Sequence, residues 1–195
     1  MRTSKAIKAL EDFNGINWHA KAQVLLTAYG YKPATFIYLE AMPYTKEDTP
    51  IRVSKDTYTL LCLILTNLGL VFENRDRMIS DDESKTVHLI DFCISRDSQT
   101  ATTLHGAIVS NNDRLTGITL GYPLTAAEAY ASDNMLPIHN HPLSTKDVNE
   151  RNMRMLNHRL SKESWEDEVK YLQIHGDALK DLSRTIYDHV TAENE

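Results

Sequence analysis

The chain has 195 residues, 42% of them hydrophobic and 25% charged. That balance is typical of a globular protein and excludes a collagen-like, wholly coiled-coil or wholly disordered chain. With 21 Lys and Arg against 27 Asp and Glu, the net charge is −6, which argues against non-specific attraction to nucleic acid or to an anionic membrane.

Cys62 and Cys93 lie in apolar stretches, LLCLIL and DFCIS. Two cysteines in a chain of this length make no disulfide framework, so both are expected to be buried and reduced. The opening MRTSKAIKALEDF has no apolar core of signal length. The longest apolar run, Leu60–Leu65, falls far short of the ~20 residues that span a bilayer. These features point to the cytoplasm.

Taken in chain order, Ser4 opens a helix to about Phe13. Asn17 caps a second one with Trp18, Ala22, Leu25 and Tyr29 on one face. Gly30 suits a left-handed helix end. Residues 34–40 read as a strand, and the polar, proline-bounded residues 43–50 as a hinge. Ser54 caps a helix to Leu68 that is apolar nearly all round and so expected to be buried. Residues 70–79 and 86–95 then form a hairpin. A weak helix covers 98–109, and Asn111-Asn112-Asp113 is a turn. Thr125 and Glu128 form a capping box. Residues 135–141 are extended. A helix runs from Thr145 to about Leu160, and another from Ser161 to Gly176. A last one is capped by Asp177. Trp165, Val169, Leu172, Leu179 and Ile186 are expected in the core, with Glu163, Glu166, Asp167 and Glu168 facing water.

The densest chemical signal is His139-Asn140-His141-Pro142, followed by Ser144 and Asp147. In an extended H-x-H both imidazoles share one face. Two such histidines and a carboxylate suit a zinc ion with an open coordination position. The stretch resembles the signature of the JAMM/MPN metalloproteases. The resemblance implies His139, His141 and Asp147 as zinc ligands and an upstream glutamate as proton carrier, with Glu73 on a plausible strand. Five residues separate His141 from Asp147, fewer than in the family signature, and the resemblance spans about nine residues.

Two further patterns carry alternatives. The order helix, then hairpin, over 54–95 looks like a winged-helix DNA-binding domain, with Arg75, Arg77 and Lys85 as wing cations, yet its helix offers little to read base edges. The stretch LGYPLT places Tyr122 at a loop-to-helix junction where it could line a pocket. Tyr122 and Asn140 are therefore the candidate binding residues.

The chain thus reads as a single α+β unit over 1–195. It is mainly helical, with 1–45 as a helical N-terminal layer and a small, largely antiparallel sheet including the 70–95 hairpin. No complete catalytic set emerges. The leading expectation is an accessory or binding module without cofactor that recognises a protein or a small ligand. The alternatives are a zinc-dependent hydrolase and a winged-helix regulator.

Overall fold

The computed structural model describes residues 4–41, 52–80, 86–137 and 145–192. Residues 43–50 and 81–85, and His139, Asn140 and His141, lie outside the described residues. The order is α1 (Ser4–Asp12), α2 (Trp18–Tyr29), β1 (Ala34–Glu40), α3 (Lys55–Asn67), β2 (Val71–Ser80), β3 (Thr86–Ser95) and α4 (Ser98–Val109). Then follow α5 (Asp113–Thr119), α6 (Leu124–Ala131), α7 (Glu150–Met153), α8 (Trp165–Glu168), α9 (Tyr171–Leu182) and α10 (Arg184–Thr191). The fold is α+β, helical in the main, with a three-stranded antiparallel sheet of order β1-β3-β2. No helix among the described residues is long and apolar enough to cross a membrane.

β3 is the central strand, and its β-branched and aromatic residues suit burial on both faces. Alternation divides them. Ile90, Phe92 and Ile94 join Ile37 and Leu39 of β1 in the main core, with residues from α1, α2, α3, α9 and α10. On the opposite face Cys93 joins Ala34, Leu104 of α4 and Leu120 in a second, smaller cluster, against which Tyr122 packs. Two buried polar residues are tied within the sheet. Arg77 donates to Asp91 at 2.8 Å. His88 Nδ1 accepts from the Val53 amide at 2.9 Å, so its Nε2 carries the proton toward Asp76, 2.7 Å away.

α3 corrects one expectation. Leu61, Ile64 and Leu65 are buried, but Leu60 and Leu63 are exposed. Its exposed residues include one cation and one anion, Lys55 and Asp56. Cys62 on this helix is half-buried, while Cys93 is fully buried; both are free.

The C-terminal third departs furthest from the periodic reading. Thr145 Oγ1 accepts from the amides of Asp147 and Val148 at 3.2 and 3.0 Å. Asn149 then caps the single turn of α7. Short polar side chains that compete for backbone donors keep 145–149 out of a helix. The Leu160 carbonyl accepts from Leu136 N at 2.7 Å, and Met135 bridges Ser161, so Leu160 and Ser161 pair with 135–136 instead of ending a helix. α9 runs through Gly176 and Asp177, and Ser183, not Asp177, caps α10. Val169, Leu172, Leu179 and Ile186 are buried as expected, and Trp165 is half-buried against the core. Glu168 is not on the wet side: it is buried and accepts the Ser161 amide at 2.8 Å.

Two local readings near α5 also change. Asn112 is a cap, accepting from Leu115 N at 3.0 Å and opening α5. Pro123 precedes α6 with no side-chain cap. Glu128 instead reaches Arg114 at 2.9 Å, so no capping box forms.

Candidate functional site at Tyr122

The site begins with two chain reversals that meet. α2 ends at Gly30 in a left-handed turn, which sends Tyr31, Lys32 and Pro33 toward β1. α5 ends at Gly121, also left-handed with φ 81°. A Cβ on Gly121 would stand 2.5 Å from Pro33 Cδ. Only glycine allows both that conformation and that approach. The contact brings Tyr122 over Lys32, whose ammonium lies 5.2 Å from the ring centroid.

A ladder of rings continues from Tyr122. His158 stacks on it at 4.6 Å between centroids. Tyr171 of α9 lies 5.8 Å beyond, and its hydroxyl is 3.0 Å from His158 Nδ1. His175, one turn further along α9, meets Tyr171 edge-on at 4.7 Å. Its Nε2 is 3.1 Å from the Tyr31 carbonyl. Tyr122 itself donates to the Asn157 carbonyl at 3.3 Å.

Burial dominates the electrostatics here. Desolvation pushes the Tyr122 phenol up to about 12 and raises that of Tyr171 as well. It also holds His175 down at about 4, with the Lys32 charge as a second cause, so this imidazole is neutral near pH 7. Lys32 is 4% exposed. Its ammonium donates to Gln23 Oε1 at 2.6 Å, and burial lowers its pKa to about 7.

Tyr122 and Asn157 form a wall between two cavities. One, of about 290 Å³, lies between α5, α6 and residues 157–159. Its floor is small (Gly117, Ala126, Ala127), its sides are the Tyr122 and Tyr130 rings, and Arg159 lines it too. Arg159 Nε is buried with no hydrogen-bond partner among the described residues. The other, a cleft of about 730 Å³, runs along the start of α2 and β1 past Gln23, Phe36 and Tyr38.

Of the sequence-derived candidates, Tyr122 lies in this site. His139, Asn140 and His141 are outside the described residues. Asp147 is exposed in the turn before α7, with Lys170 as a charged neighbour. No group of three metal-ligating side chains occurs among the described residues. Glu73 on β2 accepts from Thr102 of α4 at 3.2 Å. The sequence reading missed Lys32, His158, Tyr171 and Arg159 and treated His175 as a helix terminus. Nothing in the local pattern marks a lysine as buried. The one available signal was a histidine and tyrosine four residues apart on α9, the spacing that shares a helix face.

In comparisons with known proteins, no family model, no curated protein and no solved structure matches this chain.

Proposed function

We propose that the protein is a cytoplasmic binding module for a small planar compound, held in the cavity between α5 and α6. The observation that carries this reading is the Arg159 Nε donor, buried beside that cavity and unsatisfied by the described residues. Buried donors are almost always paired, and an unpaired one costs about 1–3 kcal/mol. The Arg159 guanidinium also donates through Nη2 to the Leu136 carbonyl at 3.5 Å; a shift of that group toward the cavity would let a ligand oxygen satisfy Nε, a carboxylate most strongly. The Tyr122 and Tyr130 rings suit a flat ring, and a cavity of about 150 Å³ suffices for benzene, so about 290 Å³ has room for a substituted one. Two free cysteines accord with a reducing compartment.

Benzoate serves as the probe, because it pairs one ring with one carboxylate. Saturation-transfer NMR on the full chain should show benzoate bound. Thr116→Trp, placed at the partly exposed mouth of the cavity, should abolish the signal while circular dichroism stays unchanged. Absence of binding by benzoate and by its amide analogue benzamide, or binding that persists in folded Thr116→Trp, refutes the reading.

A further inference from the structure

β1 is one edge of the sheet, and its outer side pairs with no strand among the described residues. Ala41, which continues β1, donates to the His88 carbonyl at 3.1 Å. Antiparallel bonding alternates along a strand. In the register of β1 on β3, the amides and carbonyls of Phe36, Tyr38 and Glu40 therefore point away from β3. No backbone hydrogen bond among the described residues takes up these outward groups. The two edges of the sheet also differ in protection. An open edge recruits a further strand unless charge, proline or a bulge blunts it. β2 carries Glu73, Arg75, Asp76 and Arg77. β1, ATFIYLE, has one charge, at its end, and no proline.

Phe36, Tyr38 and Glu40 all line the cleft of about 730 Å³ that the start of α2 and Asn157 also border. We infer that this cleft binds an extended, basic peptide segment of another protein, which adds antiparallel to β1 as a fourth strand. The site is separate from the α5–α6 cavity, although Tyr122 and Asn157 border both.

Three features specify the occupant. Backbone donors and acceptors repeating at every second residue match an extended polypeptide and not a compact ligand. Glu40 is the one residue lining the cleft that is fully charged at pH 7, since burial lowers the pKa of His19 and leaves its imidazole neutral. The peptide residue opposite Glu40 is therefore basic. Phe36 and Tyr38 share the face of Glu40, and Tyr38 is 48% exposed. Apolar β-branched residues opposite these two rings extend that face. A free peptide also fits better than a second copy of this chain. The copy would bring its own α2 and Asn157 beside its β1 edge, and both sets of walls would have to share one groove.

The test is fluorescence polarisation on the full chain with acetyl-Lys-Thr-Val-Thr-Val, labelled with fluorescein through a glycine linker beyond its last valine. Paired antiparallel, the lysine lies opposite Glu40 and the two valines opposite Tyr38 and Phe36. The peptide should bind saturably. N-methylation of the first valine removes an amide that faces β1 and should weaken binding about tenfold. N-methylation of the second threonine, whose amide faces away, should change it less than about threefold. Glu40→Lys should weaken binding about three- to tenfold, and glutamate in place of the peptide lysine should restore it. Tyr38→Pro removes one outward amide and spares the β1–β3 bonds, so it too should weaken binding; Glu40→Lys decides where that variant does not fold. Absence of saturable binding, equal loss with either methylated peptide, or unchanged binding in folded Glu40→Lys overturns the inference. So does a concentration-dependent dimer in sedimentation velocity that excludes the peptide, which would assign the edge to a second copy. Thr116→Trp should lose benzoate and keep the peptide, so the two readings fail separately.

Discussion

Gly176, in the middle of α9, lies against the side chain of Asn152 on α7: a Cβ on the glycine would stand 2.2 Å from Asn152 Oδ1. That oxygen accepts from the Tyr187 hydroxyl at 3.1 Å, and Asn152 is itself buried. The glycine therefore marks a helix–helix contact, not a helix end. Exposed Gly→Ala changes within helices gain up to about 1 kcal/mol. Here the methyl must displace a buried amide and leave Tyr187 without its acceptor. Gly176→Ala should destabilise by about 1–3 kcal/mol net, measured by urea unfolding. A stabilised variant would show that Asn152 moves aside freely.

The face of α9 that meets the core gives a second test. Leu172 is 1% exposed within the main cluster. Leu172→Ala should cost about 2–5 kcal/mol. A loss below about 1 kcal/mol in the same unfolding assay would mean that α9 does not pack as described.

Stability should rise with pH in two windows. Lys32 is held at about 7 in the folded chain, below its ordinary 10.5. Between these values the unfolded state binds more protons, so stability increases as pH rises from about 7 to about 10. His175, lowered to about 4 from 6.5 by burial and then by the Lys32 charge, acts likewise between about pH 4 and 6.5. Lys32→Met should remove the upper slope and be the more stable protein at pH 6. An unchanged slope in Lys32→Met, from denaturant midpoints across pH 6 to 10, would contradict the burial of this amine.

The thiols should separate kinetically. Cys93 is buried at the centre of the sheet, and burial, with Asp91 and Glu73 nearby, pushes its thiol up to about 12. Cys62 is half-buried, and its thiol is raised chiefly by burial. Ellman's reagent should react slowly with Cys62 in the native chain and with Cys93 only after unfolding. Native labelling of Cys93 as fast as Cys62 would contradict the described sheet.

Metal content tests the H-x-H resemblance. Asp147 is exposed, and Lys170 is among its charged neighbours, a poor setting for a buried zinc carboxylate. Untagged protein purified without chelator should carry well under one zinc per chain. Stoichiometric zinc, lost in His139→Ala and His141→Ala, would establish the metal site.

Local chemistry by itself determined much of the first half. Asn17, Ser54 and Gly30 act where their side chains or conformational freedom are needed, because caps and left-handed turns depend on neighbours in sequence. The alternating residues of 34–40 and 86–95 specify strands for the same reason. Tyr122 was legible as a residue of a loop-to-helix junction because Gly and Pro flank it. Tertiary structure decided the rest. Whether Glu168 faces water, whether Gly176 ends or threads a helix, and whether 157–161 is helical depend on Ser161, Asn152 and Leu136, all distant in sequence or on other elements. Lys32 shows this most plainly. A lysine after a helix cap reads as solvated in any sequence pattern, and it is buried here because Gly121 closes on Pro33 and lays Tyr122 across it, with Gln23 and His175 beside it. Burial is a sum over long-range contacts, and sequence periodicity records only the local ones.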